Sequence, residues 1–297
     1  MILKLEVGVG LKNLNGKWGL DSSKEFYWEP DVGGGYRVYK VKSVIIEHQS
    51  PYQKIDIVEL ETWGKSLFLD GSLQSTESDE FIYHELLVHP AMRVQPSPKR
   101  VLICGVGEGK SVREVLKYPT VKEVIGVDID EEVVALCQKY LGKTPIDDKR
   151  VRLVYQDVAE FIKNYRGEPF DVAIVDVTDD LDGPARSVHQ LDFYKRLYEI
   201  LSEKATVVVQ GTSAFSKVKN VGFCHIYEIL KEVFPFVIPY ADYIPSFSDL
   251  WTFFVALKGI KDLTPRHEIP RDLKYYDEYT NERIFTLAKP LREKLGV

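Results

Sequence analysis

The chain has 297 residues, a net charge of −6 and 44% hydrophobic residues, and this length is enough for one large domain or two smaller ones with an ample apolar core. The acidic balance argues against a nucleic-acid partner, because nucleic-acid binding needs a basic surface. The three cysteines are scattered and lack zinc-site spacing, which suits a reduced, intracellular setting. The N-terminus is too polar for a signal peptide, and no apolar run approaches the ~20 residues of a membrane span. The sequence therefore predicts a cytoplasmic protein without a membrane partner.

The first part of the chain, residues 1–76, predicts a small antiparallel β domain. Runs rich in Val, Ile, Tyr and Leu are separated by turn residues and cover 36–50, 53–62 and 66–76. The spacing then becomes helical over 77–94, where acidic residues at the start suit the N-terminal end of a helix.

From residue 100 onward, strand-like runs alternate with helical runs. The predicted strands are "RVLICGVG", "EVIGVDID", "VRLVYQD", "FDVAIVD", "ATVVVQG" and "LWTFFVALKG", and a predicted helix precedes each strand after the first. This alternation predicts an α/β fold, in which a mostly parallel, Rossmann-type sheet carries helices on both faces. Residues 77–297 are therefore expected to form the catalytic domain, with 259–297 as a closing helix or packed extension.

Acidic residues follow four successive predicted strands. The turn "GVGEGK" follows the first strand, Asp128 and Asp130 follow the second, Asp157 follows the third, and Asp176 opens an acidic segment after the fourth. Ligands of open α/β sheets bind outside the carboxyl ends of the strands. The register of these acids therefore predicts a ligand site at that edge.

The glycine turn and the next two acids predict the kind of ligand. Lys110 stands where a dinucleotide-binding turn has its third glycine, and Glu108 inside the turn repels phosphate but suits an amine. Asp128 is expected to bind ribose hydroxyls and Asp157 an adenine amino group, although each could instead cap the next helix, as Asp130 can after Asp128. These features predict an adenosine with a positively charged tail, such as S-adenosylmethionine or a relative that ends in a bare amine.

The segment "DVTDDLDGPA", 176–185, places four aspartates in seven positions. Like charges this close repel one another, so the segment indicates a cationic ligand or a proton to be removed. The alternative is a solvated loop with a helix cap, and Asp180 and Asp182 fit that alternative equally well.

The chain resembles the polyamine aminopropyltransferases, the spermidine and thermospermine synthases, from about residue 26 to its end. The resemblance rests on "SPYQKIDIVEL", "LFLDGSLQSTESDEFIYHELLVHPA", "GVGEGKSVREVLKY", "VDIDEEVV" and "DGPA". It implies a methyltransferase-like fold and an N-terminal β domain that covers the pocket and forms a homodimer or homotetramer. It also implies decarboxylated S-adenosylmethionine as co-substrate, a polyamine as acceptor, methylthioadenosine as by-product, and neither a metal nor a permanently bound cofactor.

The same resemblance implies roles for individual residues. The donor is expected to contact Gln53, Gln74, Glu108, Asp128, Asp157, Val158 and Pro184. The acceptor is expected to contact His84, Asp179, Phe247, Asp249 and Trp251. Asp176 would be the general base, which takes a proton from the acceptor ammonium directly or through Tyr83 before nitrogen attacks the carbon next to the sulfonium.

Four departures from the spermidine synthase pattern bear on the acceptor. Glu108 replaces the usual Asp, Asp128 replaces Glu, "DVTDDLDGP" lacks a proline and is one residue longer, and "YIPSFSDLW" replaces a "PTYPSG" segment. All four resemble thermospermine synthases. The expected acceptor is therefore spermidine, giving thermospermine or spermine, and the alternative is a spermidine synthase that acts on putrescine or a related diamine.

Two other classes of function are weighed against aminopropyl transfer. N-methyl transfer from intact S-adenosylmethionine is opposed by Glu108 and by the missing "N/D-P-P-Y/F" loop of amine methylation. A catalytically inactive polyamine-binding protein is opposed by the presence of Tyr83, Asp176 and Asp179.

Overall fold

The computed structural model describes residues 19–30, 35–178, 187–215 and 222–297. The chain divides into two compact units after Ser78, two residues beyond the boundary expected from the sequence. Asp179, Asp180, Asp182 and Pro184 lie outside the described residues, so their expected roles stay predictions.

The described residues of the first unit form a six-stranded antiparallel sheet in which each strand pairs with the next one along the chain. The strands are β1 Gly19–Leu20, β2 Phe26–Pro30, β3 Tyr36–Gln49, β4 Lys54–Leu60, β5 Gly64–Leu69 and β6 Ser72–Thr76. Tyr27 and Phe68 are fully buried, and their rings stack with centroids 3.8 Å apart. The predicted N-terminal antiparallel domain is confirmed.

The described residues of the second unit form a seven-stranded sheet in the order β12-β13-β11-β10-β7-β8-β9. The strands are β7 Arg100–Cys104, β8 Glu123–Asp128, β9 Val151–Tyr155, β10 Phe170–Val175, β11 Leu201–Ser213, β12 Phe236–Ile244 and β13 Asp249–Lys258. The five neighbouring strands from β9 to β11 are parallel, and β13 runs antiparallel to both of its neighbours. The predicted mostly parallel sheet is confirmed.

Helices cover both faces of this sheet. They are α1 Glu80–Val94, α2 Lys110–Leu116, α3 Glu131–Tyr140, α4 Val158–Asn164, α5 Leu191–Glu199, α6 Phe223–Val233, α7 Glu278–Ile284 and α8 Lys289–Leu295. Apolar residues of α4, α5, α6 and α8 form one buried cluster with the sheet, while α1 packs with α2 and crosses β10 and β11. None of the helices in the described ranges is long and apolar enough to cross a membrane.

Two elements differ from the sequence-based prediction. Strand β12 was not predicted, and it lies at the edge of the sheet, where the missing N–H of Pro239 is tolerated. Helix α1 begins at Glu80, three residues later than the start of the predicted helical run.

The C-terminal segment is an irregular stretch followed by two short helices, and a buried carboxylate holds it on α1. Glu85, which is 1% exposed, accepts hydrogen bonds from the backbone N–H groups of Lys274, Tyr275 and Tyr276, each at 2.8 Å. These hydrogen bonds fix the C-terminal segment to α1, the helix that also carries Tyr83 and His84.

Candidate active site

The glycine turn and Asp176 meet at the point where the strand order reverses. From the central strand β7 the chain proceeds to β8 and β9 on one side, and then to β10 and β11 on the other. Gly105 has φ 87°, and a Cβ atom there would lie 1.9 Å from the backbone oxygen of Asp176. Glycine is therefore required for the two strand ends to touch, at the place where open α/β sheets bind ligands.

Asp128 shapes the glycine turn. Its Oδ2 accepts hydrogen bonds from the N–H groups of Val106 at 2.8 Å and Gly107 at 2.9 Å, and Oδ1 accepts one from Asp130 N at 2.9 Å. Burial raises the pKa of Asp128, although the three backbone donors act in the opposite direction. Asp130 in turn accepts from Glu132 N and caps α3, which confirms the capping role considered for it.

Glu108 projects a buried carboxylate from the same turn. Its side chain is 8% exposed, and its backbone oxygen accepts hydrogen bonds from Gln138 Nε2 at 2.9 Å and Thr144 Oγ1 at 3.0 Å. Among the described residues, no hydrogen bond or ion pair reaches the Glu108 carboxylate. Its negative charge acts on both His84 and Asp176 and contributes to raising the pKa of each.

Asp157 caps the helix that follows it. Oδ1 accepts hydrogen bonds from Ala159 N at 2.7 Å and Glu160 N at 3.0 Å. The capping alternative is therefore confirmed for this residue, while its contact with adenine stays a prediction. Val158, the first residue of α4, is buried beside it.

Asp176 receives two hydroxyl donors from two different helices. Tyr83 Oη of α1 donates to Oδ1 at 2.7 Å, and Ser111 Oγ of α2 donates to Oδ2 at 3.3 Å. Burial raises the pKa of the Asp176 carboxyl above its ordinary value, and the charge of His84 and both hydroxyl donors only partly offset this effect. The result is a carboxylate with an increased affinity for a proton at the switch point.

His84 is held by Glu80, one helical turn earlier in α1. The ring Nδ1 lies 2.7 Å from Glu80 O and 3.1 Å from Glu80 Oε2. Burial lowers the pKa of His84, but the Glu80 hydrogen bond and the nearby negative charges outweigh it and raise the pKa. Burial also opposes the charge of Glu80, yet His84 and Arg113 hold the pKa of this carboxyl well below its usual range.

The late segment that departs from the spermidine synthase pattern lies against Tyr83. The ring centroid of Phe247 is 6.0 Å from that of Tyr83 and 4.8 Å from that of Trp251. Trp251 Nε1 donates to Gln210 Oε1 at 3.2 Å, and Gln210 Nε2 donates to Val177 O at 2.8 Å. The indole N–H therefore supports the segment directly after Asp176.

The remaining sequence-predicted residues do not all join this cluster. Asp249 begins β13, and its Oδ1 accepts a hydrogen bond from Leu250 N at 2.7 Å. Gln53 directly precedes β4 and Gln74 lies in β6, so both belong to the first unit. Their donor contacts stay predictions.

Sequence reasoning missed Glu80, Ser111 and Gln210. Glu80 precedes His84 by four residues and therefore shares its helix face, which was an available signal. Gln210 lies near the carboxyl end of β11, so the rule applied to four strand ends would have found it at the fifth. Ser111 had no comparable signal, because serine after a glycine turn is common.

Two family models match the chain. Residues 80–265 match the spermine/spermidine synthase domain, and residues 34–77 match the spermidine synthase tetramerisation domain. The chain belongs to the spermine/spermidine synthase family. It is a polyamine aminopropyltransferase, a transferase of the spermidine synthase type.

Relatives in this family are similar over nearly the whole chain. Polyamine aminopropyltransferase 2 of Caldanaerobacter subterraneus subsp. tengcongensis is 98% identical over 297 residues, which is all of both chains. The polyamine aminopropyltransferase of Pyrococcus abyssi is 39% identical over 277 residues, which cover 88% of this chain and 96% of the relative.

Solved structures of the family share the fold. Spermidine synthase from Thermotoga maritima superposes with a TM-score of 0.85 at 32% identity, covering 96% of this chain and 99% of that one. A spermidine synthase in complex with the transition state analogue AdoDATO gives a TM-score of 0.86 at the same identity and coverage. The two relatives found by sequence are named polyamine aminopropyltransferases, without a product. The two solved structures are named spermidine synthases, which specifies spermidine as their product.

Proposed function

We propose that this family member transfers the aminopropyl group of decarboxylated S-adenosylmethionine to spermidine, giving thermospermine or spermine and methylthioadenosine. The observation that carries the choice of acceptor is the aromatic pair Phe247 and Trp251 next to Tyr83. The segment that departs from the spermidine synthase pattern thus adjoins the residue that donates to Asp176.

The donor is proposed to lie along the glycine turn. The buried Glu108 carboxylate accepts from the amine of the aminopropyl tail, which is the charge that it is suited to bind. The carboxylate lone pairs of Asp128 that accept no backbone hydrogen bond bind the ribose hydroxyls. Adenine is bound by Oδ2 of Asp157 and by the N-terminus of α4 at Val158. Gln53, Gln74 and Pro184 stay predicted donor contacts.

The proposed chemistry is a direct displacement at carbon. Asp176 takes a proton from the acceptor ammonium, directly or through Tyr83, and its raised pKa favours this transfer. The freed nitrogen lone pair attacks the carbon next to the sulfonium, and the electrons of the breaking C–S bond go to sulfur. The products are a secondary amine and neutral methylthioadenosine, so the charge of the sulfonium is lost in the step.

The acceptor chain is proposed to lie along the aromatic wall. The rings of Phe247 and Trp251 suit the methylene segments of a polyamine, and His84, Asp179 and Asp249 are the proposed partners of its amines. Putrescine is the second candidate acceptor, because the solved neighbours at 32% identity are spermidine synthases.

The first unit is proposed to join copies of the chain into a homodimer or homotetramer. The match of residues 34–77 to a tetramerisation domain supports this proposal. Size-exclusion chromatography with light scattering measures the mass directly. A monomer at micromolar concentration would contradict the proposal.

Product analysis tests the acceptor. The purified enzyme is incubated with decarboxylated S-adenosylmethionine and either putrescine or spermidine, and the isomeric products are separated by chromatography, with Asp176→Asn as the inactive control. Thermospermine or spermine from spermidine, with putrescine a poor acceptor, is the expected result. Transfer to putrescine alone would make the enzyme a spermidine synthase, and transfer to neither would refute both acceptors.

A further inference from the structure

The tautomer of His84 follows from its contacts with Glu80. A backbone carbonyl oxygen can only accept a hydrogen bond, and Glu80 O lies 2.7 Å from Nδ1. Glu80 Oε2, 3.1 Å from the same nitrogen, is a second acceptor. Nδ1 therefore carries the hydrogen, and in the neutral ring Nε2 carries the lone pair.

The Glu80 carboxylate is itself held rigidly. Arg113 donates to both oxygens in a bidentate pair, at 2.9 and 3.0 Å, and Lys110 Nζ lies 3.4 Å from Oε1. The side chain of Glu80 is only 7% exposed. Because Arg113 and Lys110 both hold the Glu80 carboxylate, it cannot rotate away from the imidazole of His84. The ring of His84 therefore has one preferred orientation.

The other ring nitrogen is available to a ligand. Within the described ranges, Nε2 of His84 makes no hydrogen bond. The ring of Tyr83 lies beside the imidazole, with centroids 5.3 Å apart, and the charges of Glu108 and Asp176 act on it. An amine N–H is the donor that suits a lone pair at this place.

We propose that Glu80 is a positioning residue, which fixes His84 as the Nδ1–H tautomer so that Nε2 accepts a hydrogen bond from an amine of the polyamine acceptor. This inference rests on the proposed aminopropyl transfer and assigns that transfer one further residue. The charged groups around the imidazole are Glu80, Lys110, Arg113, Glu108 and Asp176. Although burial lowers the pKa of His84, the Glu80 hydrogen bond and the nearby acids raise it, so the neutral ring that accepts a hydrogen bond forms above that raised pKa. As the pH falls through this pKa, Nε2 gains a proton, stops accepting and repels the ammonium.

Two substitutions of His84 separate the roles of its nitrogens. His84→Gln places an amide oxygen near the position of Nε2 and keeps an acceptor, whereas His84→Asn replaces only the Nδ1 edge. We expect His84→Gln to keep the KM for spermidine within about threefold, and His84→Asn to raise it about tenfold, the effect of one hydrogen bond. The KM for the donor should change less than threefold in both variants.

A double-mutant cycle tests whether Glu80 acts through His84. Glu80→Gln is expected to raise the KM for spermidine about fivefold in the wild-type background but less than twofold in the His84→Gln background. Glu114→Gln is the matched control, because Glu114 is also buried and also pairs with Arg113, at 2.6 Å. This control should lower stability without changing the KM for spermidine.

Nuclear magnetic resonance of ¹⁵N-histidine enzyme, with His84→Gln for assignment, reports the tautomer without turnover. The expected spectrum has hydrogen on Nδ1, and addition of spermidine shifts the Nε2 resonance. Hydrogen on Nε2, equal losses in His84→Gln and His84→Asn, or an undiminished Glu80→Gln effect in the His84→Gln background would overturn the inference. A wild-type enzyme that transfers no aminopropyl group would instead overturn the proposed function. In that case the tautomer of His84 and the shift of its Nε2 resonance on addition of spermidine would still decide the role of Glu80.

Discussion

Removing the hydroxyl of Tyr83 is the most direct test of the proposed proton removal from the acceptor amine. Tyr83→Phe keeps the ring and its packing against Phe247 but deletes the 2.7 Å hydrogen bond to Asp176 Oδ1. A hydrogen bond to a charged group contributes about 1.5–3 kcal/mol. If that contribution is made in the transition state, kcat/KM should fall about 10- to 150-fold.

The same substitution has a predicted effect on the pH profile. The Tyr83 hydrogen bond lowers the pKa of Asp176 against the larger effect of burial, so its loss raises that pKa further. The carboxylate then forms only at higher pH, and the acid limb of kcat/KM should move to higher pH. The assay is release of methylthioadenosine from pH 5 to 10 at saturating donor.

Tyr118→Phe is the control for this prediction. Tyr118 Oη makes one buried hydrogen bond, to His89 Nδ1 at 3.0 Å, and neither residue belongs to the proposed site. Its loss should lower the melting temperature and leave the pH profile unchanged. If Tyr83→Phe keeps kcat/KM within threefold of wild type with an unshifted acid limb, the assignment of the Tyr83 and Asp176 pair to proton removal is wrong.

Three further predictions follow from the same geometry. Glu108→Gln should raise the KM for the donor about 10- to 150-fold, whereas Glu108→Asp, which keeps the charge, should stay within about tenfold in the same steady-state assay. Ser111→Ala removes the longer hydrogen bond to Asp176, at 3.3 Å, and should reduce kcat/KM less than Tyr83→Phe does. A larger loss in Ser111→Ala, measured in parallel, would show that Ser111 is the more important donor. Burial opposes the charge of Glu114, but hydrogen bonds from His89 and Arg113 outweigh it and lower the pKa from 4.5 to about 2. The contribution of ionised Glu114 to the stability of the fold is therefore complete above about pH 4.5 and is lost as the pH falls toward 2. Urea unfolding should accordingly show that Glu114→Gln is on the order of 2–3 kcal/mol less stable than wild type at pH 7 and that the difference narrows by pH 3; a constant difference would exclude this linkage.

The sequence was sufficient to predict that the glycine turn and Asp176 lie together, because alternating strands and helices force the carboxyl ends of parallel strands to one edge of the sheet. The glycine turn and Asp176 are 71 positions apart in the chain when counted from Gly105, and the alternation alone predicts that they lie together. The contact between Gly105 and the Asp176 backbone bears this out at atomic distance.

The sequence was not sufficient to say what each acid does. Whether Asp157 caps a helix depends on the backbone angles of one turn, and the same residue pattern fits a free carboxylate. Trp251 and Gln210 lie on β13 and β11, which are antiparallel neighbours in the sheet although they are separated along the chain by α6 and the unpredicted strand β12. Such long-range contacts leave no periodic signal.

The partners of the buried acids explain why Asp176, and not Glu80, is suited to take a proton. Burial opposes the charge of Glu80, but this carboxylate is bonded by His84 and by the guanidinium of Arg113, and these partners favour the charged form so strongly that its pKa falls. Asp176 is bonded by the neutral hydroxyls of Tyr83 and Ser111, which favour the charge less, so burial prevails and the pKa rises. An arginine in place of either hydroxyl would turn the proposed base into a second structural ion pair, so the two buried acids differ in pKa because their donors differ in charge.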